Sequence, residues 1–291
     1  MGNTYCTFYV IGNPIDHSLS PVLQNYLLEK FNIPGRYCAC RVEPGALGPT
    51  LAEFADHQVR GINVTTPLKT EVIRFLTELT PEAEAIGSVN TIKIDSAGLI
   101  GHNTDATGFR ISLHVAGWSV QNKNVLLLGA GGAARAVAVA LAREGCRQII
   151  IANRSLDKAQ RLIDDLAEQN PQQSWARIGW DRDRIETHLA SCGLLVNATT
   201  IGMGGSANEM PLPIPTQLPK NLMVYDLIYR PLRTPLLQQA EQQQLPFMNG
   251  LAMLIYQGIA SLGFWMGENF VLNENLYLEL AERLRREICQ E

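Results

Sequence analysis

No apolar run in the 291-residue chain approaches the ~18 residues of a membrane-spanning helix, so no membrane partner is expected. A basic excess is missing too. Lys and Arg number 24 against 28 Asp and Glu, for a net charge of −4, which leaves no electrostatic footprint for nucleic acid. Met1 to Ile11 lacks a basic stretch followed by a long apolar segment, so no secretory leader is expected and a cytoplasmic location is. Histidines are few and do not cluster. The six cysteines (Cys6, Cys38, Cys40, Cys146, Cys192 and Cys289) are scattered, and only Cys38 and Cys40 are near neighbours. One intervening residue is not the spacing of a zinc knuckle, so no metal site is expected and the thiols read as reduced. The chain has no internal repeat, heptad pattern or low-complexity tract.

What the chain does have is 46% hydrophobic residues, enough for sizeable cores, and a length that suggests two domains of ~150 residues each. Its organising stretch is Asn124 to Arg135. An apolar run of strand length, Val125-Leu126-Leu127-Leu128, breaks at Gly129-Ala130-Gly131-Gly132-Ala133-Ala134 and resumes as an alanine- and leucine-rich helix. Strand, glycine turn and helix, with Gly129, Gly131 and Ala134 in the Gly-x-Gly-x-x-Ala slots, form the dinucleotide-binding pattern. Gly129 permits the turn. Gly131 has no side chain to keep a pyrophosphate from the backbone. Ala134 lets the helix pack close to the sheet, and the helix N-terminus offers N–H groups to phosphate. A glycine turn in any α/β protein is the plainer alternative. A second apolar strand at Gln148 to Ala152 favours the dinucleotide.

Before this unit, a strand is expected at Tyr5 to Ile11. Ser18-Leu19-Ser20-Pro21 follows, with Ser20 as N-cap and Pro21 opening a helix to about Phe31. Ser18 and Ser20 either cap and turn, or form an anion seat suited to a carboxylate. His17 beside them reads as a structural loop histidine. Strand Tyr37–Val42, helix Leu47–His57 and strand Gly61–Val64 come next. The last runs into Asn63-Val64-Thr65-Thr66-Pro67-Leu68-Lys69, polar residues at the end of a buried strand, where ligands of open α/β sheets bind. Pro67 reads as the start of a helix, placing Lys69 against the helix dipole in its first turn. That violation points to function; a solvated surface lysine is the alternative. Val89 to Ile94 and Leu99 to Gly101 read as a hairpin. Asp105, after Asn103-Thr104, precedes a helix of about Phe109 to Ala116 and is either its cap or a chemical group.

After the glycine turn, the second strand of the nucleotide unit ends at Asn153-Arg154-Ser155, where an NAD-selective site usually carries Asp or Glu. A guanidinium with neighbouring donors suits a 2′-phosphate, so NADP is expected, with NAD possible; a surface arginine is the alternative. Asp157 should lie inside the next helix, Leu156 to Glu168. Gln169 to Ser174 reads as a loop. Strands are expected at Leu194–Ala198 and Leu222–Leu227, with a loop from Thr199 to Gly205 and an irregular connection marked by Pro211, Pro213, Pro215 and Pro219. Helices follow at Pro235–Gln244, Leu251–Met266 (with Gln257 as its notable polar residue) and Asn275–Gln290.

Taken in order, these pieces resemble the shikimate dehydrogenase family over essentially the whole chain. The resemblance rests on Ser18-Leu19-Ser20-Pro21, Asn63-Val64-Thr65 with Pro67 and Lys69, Gly87 with Val89-Asn90-Thr91, Asn103-Thr104-Asp105, Gly129-Ala130-Gly131-Gly132-Ala133, Asn153-Arg154, Asn197-Ala198-Thr199, Tyr225-Asp226 with Tyr229, and Gly250 with Met253-Leu254 and Gln257. It implies an α/β fold of two α/β domains with the active site in a cleft. One is a discontinuous substrate domain, 1–104 and 251–291, with a mixed, mainly parallel sheet. The other is a Rossmann-type NADP-binding domain, 105–250. It implies NADPH-linked reversible reduction of 3-dehydroshikimate to shikimate on the route to chorismate and the aromatic amino acids, by a monomer or homodimer. By motif, Ser18 and Ser20 would hold the substrate carboxylate. Asn63, Thr65, Asn90, Asp105, Tyr229 and Gln257 would contact the substrate, and Lys69 and Asp105 would be the catalytic pair. Gly129, Ala130, Gly131, Gly132, Ala133, Asn153, Arg154, Ser155, Thr199 and Gly250 would line the cofactor.

Gln24, Thr66 and Ala106 depart from the family's usual residues, histidine, an apolar residue and glycine respectively, and none removes a catalytic group. Two rival functions stand beside this one: a quinate/shikimate dehydrogenase using NAD or both cofactors, and a dinucleotide-binding regulatory module without turnover.

Overall fold

The computed structural model describes residues 7–211 and 214–290. Tyr5 and Cys6 of the expected first strand, and Pro213, lie outside them. The chain divides into two compact units. One takes the chain up to Gly108 together with Leu254–Glu287, and the other takes Phe109–Met253 with the chain end from Ile288. All three transitions fall inside helices; those after Gly108 and Met253 lie a few residues beyond the 104/105 and 250/251 boundaries expected from the sequence, and the one after Glu287 has no expected counterpart.

The first unit begins with β1 (Phe8–Gly12), α1 (Ser20–Lys30), β2 (Tyr37–Arg41), α2 (Leu47–Asp56) and β3 (Gly61–Val64). A short 3₁₀ turn, Glu71–Phe75, leads to β4 (Glu78–Leu79), α3 (Pro81–Ile86), β5 (Thr91–Asp95), β6 (Gly98–His102) and α4 (Asp105–Val115). The strands form a mixed six-stranded sheet in the order β2-β1-β3-β5-β6-β4. β1 runs parallel to both β2 and β3, whereas β3–β5 and β5–β6 are antiparallel. β3 is buried at every position, which is why its sequence shows no alternation. Helix α3 is bounded by Thr80, whose hydroxyl accepts from Ala83 N, and by Gly87 at φ 65, a left-handed end that glycine adopts without strain.

The second unit comprises β7 (Asn124–Leu128), α5 (Gly132–Arg143), β8 (Gln148–Ala152), α6 (Leu156–Gln169), β9 (Ser174–Ile178), α7 (Arg182–Leu189), β10 (Cys192–Asn197), β11 (Met223–Asp226), α8 (Pro235–Gln242) and β12 (Phe247–Met248). The sheet order β12-β11-β10-β7-β8-β9 is wholly parallel. It reverses direction between β7 and β10, the crevice where such sheets bind dinucleotides. Val125 to Leu128 and Ile149 to Ile151 are buried on both faces, and Ala134, Ala136, Ala138 and Ala140 let α5 lie close against them.

The chain then forms α9 (Leu251–Met266), which enters the first unit at Leu254, and α10 (Glu274–Cys289). In that unit α9 is apolar nearly all round and packs tightly. A Cβ on Gly61 would come within 2.5 Å of the Trp265 ring, and one on Gly258 within 2.5 Å of Leu23 Cδ2. Trp265 Nε1 donates to Ile92 O at 2.9 Å, fixing the helix against β5.

Several expectations need correction. No helix begins at Pro67. Residues 66–70 form a turn before the 3₁₀ segment, closed by Leu68 N to Thr65 O at 2.9 Å, so Lys69 opposes no helix dipole. Ser20 is the first helical residue, not the N-cap. Leu19 holds the cap position without a side-chain bond, and Ser18 Oγ accepts from Ser20 N at 3.3 Å instead. Helix α4 starts at Asp105 itself, one turn earlier than expected. β4, α3, β9, α7 and β12 were not anticipated; each is short, and the β-strands among them carry weak alternation. Cys38 is disulfide-bonded, against the expectation of reduced thiols, whereas Cys40, Cys146, Cys192 and Cys289 are free. Spacing along the chain does not report what a strand residue meets across space.

Candidate active site

In the first unit, the turn after β3, the start of β5 and the start of α4 bring a cation and two polar side chains together. Lys69 Nζ lies 2.5 Å from Asp105 Oδ2, with the side chains 13% and 7% exposed. Asn90 Nδ2 donates to the other carboxylate oxygen, Asp105 Oδ1, at 2.8 Å. The backbone locks this arrangement from three sides. Val89 N donates to Lys69 O at 2.8 Å, Asp105 N donates to Asn103 Oδ1 at 3.0 Å, and Asn103 Nδ2 donates to Ser88 O at 2.8 Å. Gln257 of α9 reaches the same cluster, its Oε1 3.3 Å from Asn90 Nδ2. A lysine held against a carboxylate whose second oxygen is already fixed can deliver a proton along one direction.

Asn63 joins the cluster in another way. It is buried, Tyr37 donates its hydroxyl to Asn63 Oδ1 at 2.7 Å, and Nδ2 donates to Asn90 O, Thr91 Oγ1 and Ser261 Oγ. Its amide is thus engaged by the protein on both sides. Thr65 sits half-buried at the head of the lysine turn, against Gly12. A Cβ on Gly12 would come within 2.4 Å of Thr65 Cγ2, so only glycine fits there. Ser18 lies half-buried before α1, Ser20 is half-buried as its first residue, and His17 is exposed. Behind them Gln24 is fully buried and donates to Gly258 O at 2.8 Å, while its Oε1 has no protein partner.

In the second unit the glycine turn is made of backbone. Gly129 has φ 104, and a Cβ there would press on Ala198 O and Thr199 Cγ2 at 3.2 Å. Gly131 caps α5, and a Cβ on it would meet nothing within 4 Å. That open space lies over a helix N-terminus with no side-chain cap and no acidic residue in its first turn. Unpaired N–H groups with free approach fit a pyrophosphate. Gly132 and Ala133 open the helix, and Ala134 is fully buried beneath it.

Beyond β8, Arg154 is exposed. Asn153 Nδ2 donates to Ser155 O at 2.8 Å, and Ser155 caps α6 by accepting from Lys158 N. Asp157 is exposed in the first turn of α6, as expected. Thr199 donates its hydroxyl to Asn197 Oδ1 at 2.7 Å. Gly250 has a packing reason of its own, since a Cβ there would overlap Leu227 O at 1.9 Å. Tyr229 is half-buried in the loop after β11.

That loop hangs on a residue whose role the sequence did not disclose. Asp226 is fully buried and accepts from Asn197 Nδ2 at 2.9 Å, Ile228 N at 3.1 Å and Thr234 Oγ1 at 2.7 Å. Burial pushes its carboxyl up from 3.8 to about 6, against the pull of those three donors. Thr91, Thr104 and Ser261 were likewise not singled out as site residues, because serine and threonine in a strand, loop or helix carry no local signature. Among the described residues no group of His, Cys, Asp and Glu could hold a metal, and no helix is long and apolar enough to cross a membrane.

Comparison with known proteins agrees with both halves. The family model of the shikimate dehydrogenase substrate binding domain matches residues 10–92, and that of shikimate / quinate 5-dehydrogenase matches residues 112–201. A shikimate dehydrogenase (NADP(+)) of Methanopyrus kandleri is 40% identical over 89% of this chain and 89% of its own. The crystal structure of shikimate 5-dehydrogenase from Thermus thermophilus, in complex with NADP(H) and shikimate, superposes with a TM-score of 0.82 at 33% identity, covering 96% of this chain and 99% of that one. The Listeria monocytogenes enzyme in complex with shikimate and NAD gives a TM-score of 0.84 at 31% identity, covering 96% of each. With whole-chain identity, both family models and one fold in agreement, the chain belongs to the shikimate dehydrogenase family.

Proposed function

We propose that the protein is an NADP-dependent shikimate dehydrogenase, catalysing reversible reduction of 3-dehydroshikimate to shikimate. The observation that carries this reading is the Lys69–Asp105–Asn90 cluster, an ammonium and carboxylate in direct contact at the heart of the first unit. A protein that only bound dinucleotide would have no use for it. NADPH, when bound, supplies a hydride to the ring ketone carbon. Lys69 stabilises the negative charge that grows on the carbonyl oxygen and gives it a proton, so ketone, hydride and proton balance to the alcohol. Asp105 holds the ammonium and accepts from the neighbouring ring hydroxyl; in the reverse direction the pair takes the proton back. Asn90, Gln257 and Thr65 orient the ring, and Ser18 and Ser20 receive the carboxylate; the family motif adds Tyr229 as a substrate residue.

In the second unit the α5 N-terminus with Gly129 to Ala133 would hold the pyrophosphate. Arg154, beside Asn153 and Ser155, would meet the 2′-phosphate, and Thr199 and Gly250 would border the nicotinamide end. The same reading carries a cytoplasmic location, a place in chorismate synthesis, and a monomer or homodimer with small-molecule partners only. Quinate is the competing substrate, since the second family model covers shikimate and quinate enzymes alike.

The test is absorbance at the reduced-nicotinamide band with shikimate or quinate and NADP or NAD. The highest kcat/KM is expected for shikimate with NADP. A higher value for quinate would move the protein to the rival activity. No turnover in any combination would defeat the enzyme reading.

A further inference from the structure

We infer that Ser261, with Thr91 and Thr104, is a positioning residue for the reaction: its hydroxyl joins α9 to the strand and helix ends that carry Asn90 and Asp105, and so aims the Asp105 carboxylate at Lys69. This rests on the function proposed above and extends it to a layer of side chains that cannot touch the substrate.

All three hydroxyl residues are fully buried. Their hydrogen bonds can be assigned by counting protons. Thr104 N is a backbone donor and lies 2.8 Å from one end of the Asn90 side chain, which must therefore be Oδ1. Thr91 supplies the second bond to that oxygen at 2.9 Å. With Oδ1 saturated, both Asn90 Nδ2 protons point the other way, one to Asp105 Oδ1 at 2.8 Å and one to Thr104 Oγ1 at 2.9 Å. Thr104, having accepted from Asn90, has its own proton left for Ser261 Oγ at 3.0 Å. Ser261 accepts that proton and one from Asn63 Nδ2 at 3.0 Å, which fills its two lone pairs. Its own proton lies between Thr91 Oγ1 at 2.9 Å and Gln257 O, one helical turn earlier, at 3.0 Å. The chain of bonds leaves one orientation of Asn90 and hence one of Asp105 Oδ1, and Oδ2 is left for Lys69. Asn63 belongs to this layer and not to the substrate, because both ends of its amide are engaged.

Deleting the Ser261 hydroxyl takes the acceptor from the buried Thr104 hydroxyl and one of three from Asn63 Nδ2, which loosens the bonds that hold the Asn90 amide. The effect on the reaction is a loss of aim: misplacement by a fraction of an ångström to an ångström costs up to about 10²-fold in rate.

The experiment compares wild type, Ser261→Ala and Thr91→Val with Ser112→Ala as control. Ser112 is equally buried and hydrogen-bonded to Tyr225, but it lies outside the network. Thr91→Val keeps the side-chain volume, and serves if Ser261→Ala does not fold. The expected result is kcat for shikimate lowered about 10- to 100-fold in both network variants, with KM for NADP within twofold of wild type. The control should keep kcat even where its melting temperature falls as far. A second readout needs no turnover: acetylation of Lys69 at fixed pH, followed by peptide mass spectrometry. It should be faster in the network variants, whose Lys69 is no longer held. Wild-type kcat in both network variants, or Lys69 labelling unchanged from wild type, would overturn the proposal. If the wild-type protein turned over no substrate, the functional reading would fall and the labelling comparison would still decide this one.

Discussion

The two units make their sites from different material. In the first, chemistry rests on side chains gathered from distant positions: Lys69 on a turn, Asn90 before a strand, Asp105 at a helix start and Gln257 on α9. In the second, the phosphate site proposed above is backbone within a few consecutive residues, Gly129 to Ala133. A site built from side chains needs a supporting layer to aim each group, and Thr91, Thr104, Ser261 and Asn63 supply one. A site built from backbone needs only the space that missing side chains leave, and Gly131 leaves it.

The largest effect that would break this contrast comes from Lys69→Ala. Its kcat should fall about 10²–10⁴-fold, the usual contribution of a positioned proton donor, with a smaller rise in substrate KM. Steady-state kinetics with shikimate reads the split, and a change confined to KM would make Lys69 a binding residue. The melting temperature should fall as well, since Asp105 loses its partner while 7% exposed.

Asp226 gives the next largest effect, on stability. Its folded form holds a proton up to about 6 where the ordinary value is 3.8. Because the folded value is raised, this group favours the folded state below 3.8, loses that contribution as pH rises to about 6, and is level above. The difference amounts to about 3 kcal/mol. Asp226→Asn cannot titrate, so its stability relative to wild type should climb across that window in chemical unfolding. A constant difference would show that the carboxyl titrates as it does in the unfolded chain.

Ser18→Ala and Ser20→Ala should each weaken shikimate binding by about 1.5–3 kcal/mol, the worth of a hydrogen bond to a charged group. Unchanged kinetics with a lower melting temperature would reduce Ser18 to its turn with Ser20. Gly131→Val sharpens the contrast in the other unit. It should raise KM for NADP and NAD alike, about tenfold or more, with no more loss of stability than a poor N-cap residue costs, because its Cβ enters open space.

Arg154→Ala is the mildest. KM for NADP should rise about tenfold while that for NAD barely moves, and the loss should shrink at high salt. Equal effects on both cofactors would remove Arg154 from the 2′-phosphate. Cofactor choice is worth testing directly, since the relatives solved with shikimate hold NADP(H) in one case and NAD in the other.

The same contrast explains what was legible beforehand. The glycine turn, β7, α5 and β8 could be read residue by residue, because fingerprint and fold coincide in one contiguous stretch. Taken residue by residue, Lys69 and Asp105 were readable only as polar residues at element ends, each with a bland alternative; the family motifs paired them, and the fold brings them into contact. The helix expected at Pro67 did not form, and Ser20 did not cap. Both were local inferences in segments whose shape is set by packing, such as Gly12 against Thr65. Asn63 was expected as a ligand from its place at a strand end and from the family motif; Tyr37 and Ser261, distant in sequence, engage both ends of its amide. Thr91, Thr104 and Asp226 stand in family motifs with no role attached and nothing local marks Ser261; what each does depends on what it meets across space.

The central claim is that catalysis and cofactor recognition are separately built. The most direct measurement is a fluorescence titration of NADPH into folded Lys69→Ala. The account predicts a Kd equal to that of wild type in a variant whose turnover is lost; a Kd weakened in step with kcat would contradict it.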